Sequence, residues 1–300
     1  MMTTSPVILL TGASSGIGAA CALVFAQKIS GVRLAIAARS QDKLEALAEK
    51  CRSLGAEVLV IPADLGKVEQ AEAVAQKTLS HFGQVDVLIN NAGYGQMGPL
   101  ELIPAAQAQR QFEVNVLGPL ALIRVLIPAM RDRGGGRIIN VSSLGGRVAF
   151  PVGGLYSASK HALEGLSDSL RREVSPFNIK VIVVEPGPVT TDFFTASSRV
   201  APEGLLSAKD SLYQPALEVV ENIEQKTAAL AWSSERVANV IFKAMIERYP
   251  RARYVAATAG NLMLLMMTKV LPTWAVDLFW QKFYGIDRVE KAWKQKNKVS

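Results

Sequence analysis

The sequence predicts an α/β fold, a doubly wound parallel β-sheet with helices on both faces. Three observations predict it. Short apolar runs alternate six times with stretches of helical periodicity between residues 7 and 186, the pattern of strands joined by crossover helices. The first apolar run ends in a glycine-rich turn that opens a helix. No low-complexity linker or further internal repeat interrupts the alternation. With 49% hydrophobic and 20% charged residues, the chain has the composition of a globular protein with a sizeable core. One domain over residues 1–300 is expected, with a substrate loop at 188–232 and an apolar C-terminal extension at 254–300.

The elements follow in order. Val7–Leu10 reads as a strand ending in Thr11-Gly12, and Ala13, Ser14, Ser15, Gly16, Ile17 and Gly18 lead into a helix over Ala19–Lys28. Glycines let a backbone approach phosphates, and the free N–H groups of a helix start face negative charge, so this stretch suits a dinucleotide pyrophosphate. The spacing is Gly-x-x-x-Gly-x-Gly rather than Gly-x-Gly-x-x-Gly. Arg33–Ala38 is the second strand. It ends in Arg39-Ser40, and the first acid after it is Asp42. NAD sites usually carry an acid near this strand end for the ribose 2′-hydroxyl; an Arg there pairs instead with a 2′-phosphate. A plain surface Arg is the alternative reading.

Helices are expected over Asp42–Leu54 and Lys67–Phe82, and strands over Glu57–Ile61 and Val85–Ile89, with Asp64 in the turn between. Asn90-Asn91-Ala92-Gly93 is a tight turn at a strand end, where parallel sheets bind ligands. Ala105–Arg133 is one long helical pattern holding Pro119. Proline has no N–H for the carbonyl four residues back, so a local distortion that releases the Asn115 carbonyl is expected. Strand Gly136–Val141 precedes Ser142 and Ser143, helix Tyr156–Ser175 follows, and strand Lys180–Glu185 ends in Pro186-Gly187. Beyond Pro188 the pattern weakens until a helix capped by Ser233 or Ser234 and running to about Tyr249, then a seventh strand at Tyr254–Ala257. Tyr156 and Lys160 stand one turn apart on one helical face, and a cation beside a phenol favours its ionised form.

Thr11-Gly12-x-x-x-Gly16-x-Gly18, Asn90-Asn91-Ala92-Gly93, Asn115, Ser143, Tyr156-x-x-x-Lys160 and Pro186-Gly187 occur in that order. With this set the sequence resembles a classical short-chain dehydrogenase/reductase over residues 5–190, and more loosely the 17β-hydroxysteroid dehydrogenase-like branch. The resemblance implies a Rossmann-like fold and a catalytic set of Asn115, Ser143, Tyr156 and Lys160. Tyr156 is then the acid–base group, Ser143 holds the substrate oxygen, Lys160 holds the nicotinamide ribose and lowers the Tyr156 pKa, and the Asn115 carbonyl holds a water on the proton relay. It further places Gly12, Ser14, Ser15, Gly16, Ile17, Gly18, Arg39, Ser40, Asp64, Asn91, Ala92, Gly93, Val114, Pro186, Gly187, Val189 and Thr191 at the dinucleotide, together with Tyr156 and Lys160.

The expected activity is NADP(H)-dependent interconversion of a ketone or aldehyde and an alcohol, on a lipophilic compound of steroid, retinoid or fatty-acyl type. The alternative is a non-catalytic NADP-binding protein on the same fold; an intact Ser143, Tyr156 and Lys160 argues against it. His81 and His161 lack further ligands at metal spacing, so no metal is expected. Dispersed Lys and Arg at net charge +7 make no nucleic-acid stripe. Cys21 and Cys51 read as buried free thiols, and Met1–Ser5 is too short to be expected as a leader, so a cytoplasmic protein is expected. No apolar run reaches spanning length, but the Leu- and Met-rich stretch from residue 262, with Trp274, Phe279, Trp280 and Phe283, is expected to line the mouth of the substrate cleft and make peripheral membrane contact, with core and dimer packing the alternative. By resemblance, Ala105–Arg133 and Tyr156–Ser175 form a homodimer or homotetramer interface.

Overall fold

A computed structural model describes residues 5–190 and 211–296. Seven parallel strands form the sheet in the order β3-β2-β1-β4-β5-β6-β9. Here β1 is Val7–Thr11, β2 Arg33–Ala38, β3 Glu57–Pro62, β4 Val87–Asn90, β5 Gly136–Val141, β6 Ile179–Pro186 and β9 Arg253–Ala256. Chain order reverses between β1 and β4, and the crevice at such a switch point, outside the strand carboxyl ends, is where doubly wound sheets take ligands. β7 (Val189–Thr190) and β8 (Trp232–Ser233) pair separately, in parallel.

Helices cover both faces. On one, α1 (Gly16–Lys28) and α2 (Gln41–Ser53) pack with Ser234–Ile246, burying Phe25, Leu44, Ile241 and Met245 against Ile8, Leu34 and Ile36. On the other, α3 (Val68–Phe82), α5 (Gly118–Asp132) and α6 (Gly154–Glu173) close over Leu9, Leu88 and Ile138. Strands apolar on both sides can rest only between two such layers. Ala105–Asp132 is long and apolar enough by composition to cross a bilayer, yet Ala121, Leu122, Leu126 and Met130 lie buried under the sheet. Cys21 and Cys51 are free and buried.

One region bears out an expectation and one departs from it. The long helix is broken: α4 (Ala105–Phe112) ends in a π-helical turn at Glu113–Leu117 before α5 begins. The Gly118 N–H donates to the Glu113 carbonyl, five residues back. Pro119, in the first turn of α5, has no N–H to give the Asn115 carbonyl, and a widened turn accommodates that missing donor. The region after residue 211, read as loop, is helical at α7 (Gln214–Glu221) and α8 (Ile223–Thr227). After α9 (Ser234–Ile246), whose Ser233 cap accepts the Arg236 N–H at 3.2 Å, the C-terminal stretch forms three more. They are α10 (Gly260–Leu265), α11 (Thr273–Phe283) and α12 (Ile286–Lys296).

Candidate active site

The glycine turn after β1 is built from backbone approach. Gly12 has φ +66°, in the left-handed region that favours glycine. A Cβ on Gly18 would lie 2.2 Å from the Gly12 carbonyl oxygen, so α1 can sit this close to the turn only with glycine there. Ser15 precedes α1 without capping it by its side chain, and the first turn holds no acid. The first N–H groups of the helix thus remain open for an anion at the cleft.

Asn91 lines the cleft and also holds this turn. Its side-chain amide donates to the Thr11 and Gly12 carbonyls at 3.0 and 3.2 Å. The Thr11 hydroxyl accepts the Asn91 and Ala92 N–H groups at 2.9 and 3.0 Å and donates to the Ile89 carbonyl at 3.2 Å. The ends of β1 and β4 are locked together at the switch point.

Arg39 and Ser40 are exposed at the end of β2 on the same cleft. Among the described residues Arg39 has no acidic partner within an ion pair. Asp64 also lines the cleft, but its carboxylate is engaged: Arg110 donates to it at 2.5 and 2.6 Å and the Gly66 N–H at 3.1 Å. Burial pushes this carboxyl up, but the Arg110 hydrogen bonds, the Gly66 N–H and the charges of Arg110 and Arg39 together hold it below the usual range. Arg110 was invisible in the sequence, because its partner lies 46 residues away.

Opposite the glycine turn, Ser143, Tyr156 and Lys160 line the same cleft, of about 550 Å³. Ser143 leaves β5 in extended conformation and its Oγ accepts the Gly145 N–H at 3.0 Å. Buried Lys160 donates from Nζ to the Val141 carbonyl at 2.8 Å, and lies 5.9 Å from the centre of the Tyr156 ring. Beneath them Asn115, wholly buried in the π turn, donates to the Tyr94 carbonyl and the Ser159 hydroxyl, both at 3.0 Å, while its Oδ1 accepts the Tyr94 N–H at 3.1 Å. Ser159 in turn donates to the Tyr156 carbonyl at 2.7 Å.

The phenol does not follow the expected direction. Burial pushes Tyr156 up to about 12, and the opposing influence is its hydrogen bond with Ser143 rather than Lys160. Burial also brings Lys160 down to about 8, opposed by the charge of Glu164. The ammonium donates to the Val141 carbonyl, and burial brings the lysine down while it pushes the phenol up.

Ser14, Ser15, Gly16, Ile17, Ala92, Gly93, Val114, Pro186, Gly187 and Val189 line the cleft as well. Gly18 backs the turn and Asn115 lies under the floor, while Thr191 and the rest of the expected substrate loop as far as residue 210 fall outside the described residues. The C-terminal segment expected at the cleft mouth supplies the far wall, joined by Phe150, which no pattern marked. Phe150 stacks on Tyr284 with centroids 5.6 Å and planes 8° apart. Trp280 and Phe283 meet edge to face at 5.9 Å. Together with Met263, Ile223 and Leu230 these rings close the side of the cleft beside Ser143 and Tyr156. Apolar composition hinted at this segment, but no spacing marked which rings turn inward. The loop leading to Tyr156 is strained at Val152, whose φ of +63° is rare for a β-branched residue and is held by burial against Ala216 and Leu217.

Comparison with known proteins matches residues 6–201 to the short chain dehydrogenase family. The uncharacterized oxidoreductase YusZ of Bacillus subtilis is 30% identical over 268 residues, covering 89% of this chain and 94% of that protein. A short chain dehydrogenase/reductase of Burkholderia phymatum, solved in complex with NAD, superposes with a TM-score of 0.76 at 28% identity, covering 88% of this chain and 92% of the other. L-sorbose reductase of Gluconobacter frateurii, solved with NADPH and L-sorbose, gives 0.71 at 29% identity, covering 84% and 94%. The chain belongs to the short-chain dehydrogenase/reductase family of oxidoreductases.

Proposed function

We propose that this member of the family is an NADP(H)-dependent carbonyl reductase or alcohol dehydrogenase acting on a lipophilic substrate. The observation that carries the reading is one cleft with two chemistries on opposite sides. An uncapped helix N-terminus and Arg39 face Ser143, Tyr156 and Lys160 across it. The residues fit a dinucleotide phosphate: open N–H groups and a glycine turn for the pyrophosphate, and at the end of β2 a cation in no ion pair among the described residues for a 2′-phosphate. When bound, the cofactor supplies or accepts the hydride.

The chain's own groups handle the proton. Ser143 holds the carbonyl oxygen and strengthens its grip as charge develops there. Tyr156, its phenol kept protonated by burial, gives its proton to that oxygen. Lys160 has one hydrogen on Val141 and others to offer the ribose. Its charge offsets the phenolate left behind, and the Asn115 carbonyl, relieved of its helical donor by Pro119, holds the water that returns the proton. Because the Lys160 ammonium is lost as pH rises through about 8, reduction is expected to fall on the alkaline side of that value. A non-catalytic binding protein would not need this triad.

The lipophilic assignment rests on the ring wall. The outer side of the same segment exposes Leu262, Leu265, Val270, Trp274 and Leu278, with Lys269 and Lys282 among them. We place it against an anionic membrane surface, with the cleft mouth beside the lipid, on a cytoplasmic homodimer or homotetramer. The test is NADPH oxidation with a panel of steroid, retinoid and fatty-acyl carbonyls beside short polar ones. Turnover favouring the panel's apolar members is expected; no turnover with any carbonyl refutes the reading. Liposome co-sedimentation of Leu265→Glu with Met266→Glu is expected to lose lipid binding, and unchanged sedimentation refutes the membrane contact.

A further inference from the structure

The ring wall of the cleft is not wholly apolar. Trp280 and Tyr284 stand one turn apart at the end of α11, where the Tyr284 N–H donates to the Trp280 carbonyl at 3.0 Å, so their side chains share a face. Both line the cleft. Tyr284 is only 7% exposed, yet its hydroxyl has no hydrogen-bond partner among the described residues. Burial alone pushes this phenol up, with no hydrogen bond acting on it. The Trp280 Nε1 is likewise buried without a partner. Inward-turned Tyr and Trp side chains usually pair their O–H and N–H groups, and others in this chain do. The Tyr254 hydroxyl donates to Glu247 and accepts the Arg251 N–H at 3.0 Å, and Trp232 Nε1 donates to the Thr258 hydroxyl at 2.8 Å. The Thr227 hydroxyl, also on the cleft, donates back to the Ile223 carbonyl at 2.8 Å. Stacking on Phe150 needs only the ring of Tyr284, so packing does not account for the hydroxyl.

The surroundings hold the pair in place. Val219 of α7 and Ile223 of α8 cluster with Tyr284, and Phe150 stacks on it with centroids 5.6 Å apart. A Cβ on Gly145 would lie 3.1 Å from the Phe150 ring and 3.4 Å from the Tyr156 ring. Phe150 thus borders both tyrosines, and the two unpartnered donors are one ring removed from the reacting phenol.

We propose that Tyr284 and Trp280 form a polar subsite for a second oxygen of the substrate: the preferred compound is an extended apolar ketone or aldehyde carrying a hydrogen-bond-accepting oxygen remote from its reacting carbonyl. The Tyr284 O–H and the Trp280 N–H donate to that oxygen while the reacting carbonyl lies at Ser143 and Tyr156. A buried donor left unpaired is costly, and a bound acceptor removes the cost. A hydrocarbon end in the same place leaves both donors orphaned. Such a subsite discriminates by the bond it makes, where a plain ring wall discriminates by size.

This inference rests on the reading of the chain as a carbonyl reductase. The test uses straight-chain methyl ketones of graded length in matched pairs, one member ending in a methyl group and the other in a hydroxyl, with NADPH saturating. In wild type a length is expected at which the hydroxyl member has the higher kcat/KM. Tyr284→Phe removes one oxygen and keeps the ring. In that variant the preference is expected to fall about tenfold, with kcat/KM for the methyl member and NADPH affinity within about twofold of wild type. Trp280→Phe is expected to lower the preference likewise, on top of an equal loss for both members from the smaller ring. The Tm of substrate-free Tyr284→Phe is expected to match or exceed that of wild type, because an orphaned hydroxyl adds nothing to the fold. No hydroxyl preference at any length, a preference that survives Tyr284→Phe, or a clear fall in the Tm of that variant overturns the subsite. A wild-type chain that reduces none of the ketones overturns the carbonyl-reductase reading instead.

Discussion

The two sides of the cleft are built on different principles. The glycine-turn side is made of backbone. Gly12, Gly18, Asn91 and Thr11 meet through carbonyls, N–H groups and a single hydroxyl, at separations with no room for one more methyl. The ring wall is made of side chains. Phe150, Trp280, Phe283 and Tyr284 fill space by stacked, tilted and edge contacts at 5.2–6.2 Å, and other large apolar residues could fill it differently. A ligand shared across a family demands fixed atoms. A substrate chosen by one member demands chiefly shape and apolar area. The first constraint leaves a written motif, the second leaves composition.

Four experiments break or sharpen that contrast. The largest effect is expected where the two sides meet: Tyr156→Phe removes the proton donor and lowers turnover by about 10²–10⁴-fold. NADPH affinity, measured by titration, stays near wild type, since the ring remains. Retention of half the activity would remove Tyr156 from the proposed chemistry.

Gly18→Ala puts a methyl 2.2 Å from the Gly12 carbonyl oxygen. Overpacking of this kind typically costs about 1–3 kcal/mol, so both a lowered Tm and lost NADPH affinity are expected. Equal melting and binding to wild type would show that the turn has slack.

On the ring wall the expected response is graded. Trp280→Leu with Phe283→Leu is expected to cost about 10–200-fold in kcat/KM for a bulky apolar carbonyl while leaving NADPH affinity unchanged. A loss of cofactor affinity in this variant would mean that the wall supports the other side and that the contrast is false.

The smallest change concerns cofactor choice. Arg39→Asp exchanges an exposed cation for the acid usual in NAD sites, and removes a charge-assisted contact worth about 1.5–3 kcal/mol. NADPH binding is expected to weaken by one to two orders of magnitude and the preference over NADH to narrow or reverse. Equal affinity of the wild type for both cofactors would refute the role of Arg39.

Much of the site was legible before any coordinates. The Gly-x-x-x-Gly-x-Gly turn, Asn90-Asn91-Ala92-Gly93, Ser143 and Tyr156-x-x-x-Lys160 are local patterns at strand ends, and strand ends converge on one edge of a parallel sheet. Pro119 announced a fault in its helix, because a missing N–H is a property of the residue itself. The π turn at Glu113–Leu117 is where that fault is accommodated.

What the sequence by itself determined, then, is the order of strands and helices as far as residue 187, the break at Pro119 and the motif residues brought to the cleft, since periodicity and backbone chemistry are written locally. Only the tertiary structure decided that Asn91 clamps the glycine turn, that Arg110 occupies the Asp64 carboxylate, that the Tyr156 phenol is raised rather than lowered, and which C-terminal rings face inward. Three of these depend on groups 46 to 134 residues apart in the chain, such as Arg110 with Asp64 or Phe150 with Tyr284. Burial and through-space charge also fall on a residue from every neighbour at once. No local pattern encodes that sum.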